Sequence, residues 1–201
     1  MNKQKMILSA VAVLSVAACG SDGSSGGGSG GNTGGNTAPS YNQLRAEAGE
    51  FLWDHGLVDG LNPDFTPAHR MPTRGTAHYS GVGSVKLGDG TASGGDQVLG
   101  RARMTANFDD SSVTGTVRNF KAAPGHSTTG GSLDLNGTID RNTVLGNVNG
   151  KVNIDSRNYN INAPMAGRFL DDDADAFAGV AEGVTGKNGT PFLVGIGVED
   201  D

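Results

Sequence analysis

The sequence predicts an all-β protein: an eight-stranded antiparallel up-and-down soluble β-barrel with one short N-terminal helix, after a signal peptide and a disordered tether. Three observations predict it. From Gly75 to the end, apolar and polar residues alternate with a period of two. Short turn-prone connections, such as Asp140-Arg141-Asn142 and Lys187-Asn188-Gly189, cut that alternation into eight runs. Glycine makes up 34 of 201 residues, and much of it lies inside those runs, where a small barrel must bend. Closing eight strands into a barrel removes the open edges that would otherwise aggregate. The moderate size of the apolar residues predicts an interior filled by side chains.

The chain divides into four parts. Residues 1–18 begin with Lys3 and Lys5 and continue as an apolar run from Met6 to Ala18, too short to span a bilayer, which needs about 20 apolar residues. That is the shape of a secretory signal peptide. It ends Val16-Ala17-Ala18-Cys19, with small residues before the only cysteine in the chain. This segment resembles the lipobox of bacterial lipoproteins. The resemblance implies cleavage before Cys19, lipid (diacylglyceryl and palmitate-type acyl chains) on that residue, and membrane attachment. Burial of acyl chains yields about 0.8 kcal/mol per CH2 group, so several chains anchor stably. Gly20, where an aspartate would signal inner-membrane retention, fits sorting to the outer membrane. With Cys19 lipidated, no thiol remains for disulfide or redox chemistry.

Residues 19–40 hold that cysteine and a Gly/Ser-rich stretch whose composition predicts disorder. A flexible chain of about 20 residues spans roughly 25 Å on average and about 70 Å when stretched. Its expected job is to hold a folded domain off the membrane. No Gly-Lys-Ser/Thr follows the glycines, so a phosphate loop is excluded.

Residues 41–74 read as a helix and a loop. Ser40 and Gln43 form a capping box. Tyr41, Leu44, Ala48, Phe51, Leu52 and His55 follow at helical spacing, and Gly56 ends the run. The apolar face, with Trp53 beside it, is expected to pack on the barrel or plug one end. Asp59-Gly60, Asn62-Pro63, Thr66-Pro67 and Met71-Pro72 mark the rest as loop.

Residues 75–201 form the barrel. The expected strands are Thr76–Leu87, Val98–Phe108, Val113–Phe120, Ser132–Ile139, Thr143–Asn153, Asn158–Phe169, Ala176–Val184 and Pro191–Val198. Asn149-Gly150 is open to a second reading as a hairpin turn that splits the fifth strand. The polar face carries Arg101, Arg103, Asp134, Asn136, Asn160 and Arg168, and aromatics total 5%. Both argue against a membrane-spanning barrel, which needs an apolar outer band with aromatic girdles.

Several residues in these strands carry a resemblance. Ala106-Asn107-Phe108 with Val113-Thr114-Gly115-Thr116-Val117 resembles a hairpin of the transferrin-binding protein B barrels. Gly167-Arg168-Phe169-Leu170, then Ala174 and Ala178-Gly179-Val180, resembles a second stretch of that family, and Leu193-Val194-Gly195-Ile196-Gly197 resembles its last strand. The likeness runs from about Gly75 to Val198 behind a lipobox, an architecture shared with factor H-binding protein. Leu170 and Asp171 stand where the family places a glycine, Val180 replaces an aromatic, and a single barrel stands without the family's handle domain. The resemblance implies a surface lipoprotein that binds through its loops and has no enzymatic activity.

Charge and motifs narrow the function further. Loss of Lys3 and Lys5 with the leader takes the formal charge from −6 to −8, which excludes nucleic acid as a partner. No hydrolase elbow is present. His55, His69, His78 and His126 share no zinc spacing, so no metal or other cofactor is expected. Asp171, Asp173, Asp175 and Glu182 mimic the calcium spacing of an EF-hand, but Ala176 occupies the glycine position and the flanks read as strands, so a solvated loop is expected. Arg101, Arg103, Arg118 and Lys121 are read as a solvated outer face.

The expected function is a monomeric binding module, membrane-attached and facing a protein partner, in nutrient (iron) acquisition or host interaction. Its candidate contacts are the loops Gly88–Gly95, Ala122–Gly131 and Asp155–Arg157, with Gly125, His126, Ser127, Asp155 and Arg157 as site residues. Two other readings stay open. One is a small-ligand or haem carrier using the barrel mouth with His126, His69 or His78. The other is a structural envelope lipoprotein facing the periplasm.

Overall fold

The computed structural model describes residues 38–58, 63–88, 97–185 and 189–201. The signal peptide, Cys19, nearly all of the tether and residues 89–96 lie outside the described residues. The helix is α1, Tyr41–Asp54. The strands are β1 (Thr76–Leu87), β2 (Gln97–Asn107), β3 (Ser112–Ala122), β4 (Gly130–Asp140), β5 (Thr143–Ile154), β6 (Arg157–Leu170), β7 (Ala176–Val184) and β8 (Pro191–Asp200). Each pairs antiparallel with its sequence neighbours, and β1 pairs with β8, so the sheet closes into a barrel.

The period-two alternation sorts residues into wall and interior. Val98, Ala102, Met104 and Ala106 of β2, Leu133 and Leu135 of β4, and Val144, Val148 and Val152 of β5 all join one buried core. The outer face of β3 to β6 is polar, with Thr116 against Asp134 and Asn149 against Asn162. Asn149 and Gly150 lie inside β5, paired with Asn162 and Ile161, so the fifth strand is continuous and no turn forms there. Asn119, at φ 58°, adds one residue to β3 between the Leu99 and Arg101 pairings. This bulge moves the inward set from odd to even numbers, so Val117 and Phe120 are both buried in the core.

The interior is full, and aromatic rings do much of the filling. Phe169 packs against Tyr79, Phe108 and Phe177, with ring centroids 6.1, 5.9 and 5.4 Å away. The buried Tyr79 hydroxyl donates to the Ala174 carbonyl at 2.7 Å, so its polar end is satisfied. In-strand glycines seat these rings. A Cβ on Gly167 would lie 2.2 Å from Phe177, one on Gly183 2.9 Å from Phe192, and one on Gly100 3.0 Å from Phe120. Bending is therefore not the whole reason for the glycines: at these positions the missing Cβ is the space a ring occupies.

Helix α1 lies on the outer wall and does not plug an end. Leu44, Ala48, Phe51 and Leu52 are buried with Val82 of β1, Leu99 of β2 and Ala176 and Ala178 of β7. Each large side chain buried there stabilises the contact by about 1.5–3 kcal/mol. A helix of 14 residues would be marginal alone. The capping box forms: Ser40 accepts from the Gln43 amide, and the Gln43 side chain accepts from the Ser40 amide at 2.8 Å. Trp53 does not join this contact; it is 68% exposed.

Past the helix the chain closes the end of the barrel where β1 starts. Phe65 bridges to Leu170. The Thr66 amide donates to the Phe169 carbonyl at 3.1 Å. Asn142 donates to the Thr66 carbonyl at 2.6 Å. Met71 reaches the core. The opposite end carries the β1–β2, β3–β4, β5–β6 and β7–β8 connections.

Candidate functional site at the loop end

Up-and-down topology alone brings the β3–β4 loop and the β5–β6 turn to the same rim. The turn is two residues long, Asp155 and Ser156, between the paired Ile154 and Arg157. Both turn residues have positive φ, 49° and 64°. That is the turn whose twist matches flanking strands, formed here without its usual glycine.

Asp155 ties the two connections together. Its carboxylate accepts from His126 Nδ1 at 2.6 Å, from the Ser127 amide at 2.8 Å and from Ser127 Oγ at 3.3 Å. Its own amide donates to the Ser127 carbonyl at 2.9 Å. One residue further, Thr128 Oγ1 donates to the Asn153 carbonyl at 2.5 Å. The hydrogen bond from His126 and then that from the Ser127 amide hold the Asp155 carboxyl below the usual value of 3.8, because both favour the ionised form.

The structure therefore brings together three of the five residues singled out from sequence: His126, Ser127 and Asp155. Gly125 takes φ 90° and turns the chain just before His126. Arg157 opens β6 as an exposed side chain beside the cluster in sequence. Sequence reading missed Thr128 and Asn153, whose polar side chains flanking the two connections were the available signal. Ser127 Oγ donates to the Asp155 carboxylate, which His126 Nδ1 also reaches.

The other candidates are dispersed. His55 Nδ1 and Nε2 each lie 3.0 Å from a carboxylate oxygen, of Asp171 and Glu199. His78 Nδ1 is 3.2 Å from Thr105 Oγ1. Among the described residues no group of three such side chains is arranged to hold a metal ion. Within the acidic run Asp171 faces His55 and Asp172 pairs with Arg70. Glu182 stands on β7 opposite Leu193, away from that loop. In the basic row, Arg101 pairs with Glu47 of α1. Burial raises the Asp175 carboxyl most, and Asp173, Asp171, Asp200 and Asp172 raise it further.

The fold is thus a closed, side-chain-filled barrel whose β3–β4 loop is tied to its β5–β6 turn at one rim. The profile of the family described as the C-lobe and N-lobe beta barrels of Tf-binding protein B matches residues 71–195. The chain belongs to that family. Its fold is similar to transferrin-binding protein B from Haemophilus parasuis Hp5, a Trp-176-Ala mutant crystallised as a vaccine antigen. That match has 16% identity and a TM-score of 0.52, over 69% of this chain and 29% of that one. The isotype 1 protein from serogroup B Neisseria meningitidis gives 20% identity and a TM-score of 0.49, over 69% and 28%. The chain thus spans less than a third of the length of those structures. No curated sequence is a significant match.

Proposed function

We propose that this chain is a non-enzymatic, lipid-anchored binding module of the outer membrane that presents the loop end of its barrel to a protein partner. The observation that carries this reading is the Asp155 clip. Three hydrogen bonds to one carboxylate fix the β3–β4 loop against the β5–β6 turn. A loop held in one shape loses little conformational freedom when it binds, which raises affinity. The side-chain-filled interior favours a macromolecule over a small ligand inside the barrel. Family membership supports a partner in iron acquisition, since the matched structures are named for binding transferrin. The lipobox ending at Cys19 supports the anchor.

The test is capture from intact cells with the tagged chain and an Asp155→Asn variant. Recovery of a protein partner by the wild type, weakened in the variant, supports the loop end as the contact. Equal capture by both removes that assignment. Mass analysis of the mature amino terminus tests the anchor: an unmodified Cys19 overturns it. Protease added outside whole cells decides the leaflet. Cleavage of the barrel is the surface outcome, and protection is the periplasmic one.

A further inference from the structure

A second feature lies on the barrel wall, away from the loop rim. Where α1 crosses β1 and β8, a cavity of about 250 Å³ opens. Phe51 lies along it, and Glu47, Glu50, Asp54 and Glu199 stand around it. The floor is kept low by Gly197, where a Cβ would meet the Phe51 ring at 2.6 Å. Two of the four carboxylates are engaged, Glu47 with Arg101 and Glu199 with His55. Glu50 and Asp54 form no ion pair with any described residue.

Their position goes against helix stability. Asp54 is the last residue of α1, Glu50 lies one turn before it, and the last turn carries no base. The carbonyl end of a helix already bears partial negative charge, so an acid there works against the helix. Local rules of this kind are broken chiefly at functional sites, and the group that would relieve this one is a cation. An independent observation points the same way. Trp53, the sole tryptophan of the chain, is 68% exposed on the solvent side of the same helix turn. It stands three residues from Glu50, and such residues are neighbours on a helix surface. An exposed indole next to unpaired carboxylates offers a cation both a π-face and a counter-charge.

We propose that this face of α1 docks a basic polypeptide, with one lysine or arginine side chain entering the cavity between Glu50, Asp54 and Phe51 and a second stacking on Trp53. Charge complementarity selects the occupant. The mature chain is strongly acidic, and an apolar or anionic partner would leave both carboxylates unpaired. The surface is independent of the loop end, so deletion of Ala122–Gly131 leaves it intact and a failed loop assignment does not affect it.

The test uses the full mature chain in detergent and fluorescein-labelled decalysine, followed by anisotropy at low salt. Saturable binding is expected, with decaglutamate inert. A Glu50→Gln/Asp54→Asn pair should weaken binding at least tenfold, and Trp53→Ala at least threefold. Both alter exposed or rim side chains, and circular dichroism checks that the barrel persists. An Asp134→Asn/Asp140→Asn pair removes the same charge elsewhere on the barrel and should bind as wild type. The proposal is overturned by absent binding, by equal loss in both charge pairs, or by a Trp53→Ala variant that binds unchanged.

Discussion

Replacing Gly167 by alanine tests the idea that in-strand glycines seat aromatic rings. The added Cβ would lie 2.2 Å from Phe177 Cζ and 2.7 Å from the Ala178 carbonyl oxygen. Real carbon contacts do not reach such distances, so something must move. Phe177 cannot swing away freely, since it is fully buried with its edge on Phe169 at 5.4 Å. The carbonyl belongs to the β7 ladder opposite β6. Overpacking of this kind costs about 1–3 kcal/mol, and two close contacts place it near the upper end. Alanine recovers about 0.5–1 kcal/mol of backbone entropy. The net loss is about 2 kcal/mol, or about 4–8 °C in Tm for a domain of this size. Urea unfolding followed by circular dichroism measures it, since exposed Trp53 is a poor reporter of the core. In a Phe177→Leu background the ring contact disappears and only the carbonyl contact remains. The cost of Gly167→Ala should then fall by about 1 kcal/mol, beyond the error of additivity for independent sites. A cost that is the same in both backgrounds, or below about 0.5 kcal/mol in the first, refutes the reasoning.

Other outcomes follow from the same geometry. Burial, with Asp200 and Asp175 nearby, raises the Tyr79 phenol well above 10.0. The unfolded chain therefore ionises first, and stability should fall as pH rises past 10. Tyr79→Phe should flatten that alkaline limb while losing about 1 kcal/mol at neutral pH with its hydrogen bond to Ala174. The Asp155 carboxyl is lowered in the fold, so its contribution is complete above 3.8 and is lost as pH falls through its folded value. Protection of the Ser127 amide against exchange, relative to the unfolded chain at the same pH, should fall in that acid range, and Asp155→Asn should show the low protection already at pH 7. Ser40→Ala removes the helix cap and should cost about 1 kcal/mol, seen as faster exchange in the first turn of α1 with barrel amides unchanged.

The strands were legible because each buries one face against the interior. A residue's side of the wall then follows from its parity, and β1 and β7 match their expected bounds to the residue. The β3 bulge was less so. Val113 and Val117 set an odd phase that Phe120 breaks, yet only the pairing with β2 shows the extra residue at Asn119. The loop-end trio was picked as polar residues in two connections. That Asp155 would take both His126 and Ser127 depended on the barrel bringing positions about 29 residues apart to one rim. Trp53 ran the other way: its place beside an apolar face suggested burial, and the helix's orientation left it in water.

By itself the sequence determined which segments become strands, where the helix starts and which faces are apolar, because these depend on local periodicity and capping. Only the tertiary structure decided that α1 lies along the wall and that glycines make room for rings. It alone also decided that Asp155 joins two loops and that Glu50 and Asp54 stand at a cavity without an ion pair to any described residue. Those facts depend on which distant residues become neighbours when the sheet closes on itself, and one-dimensional order does not specify that distance.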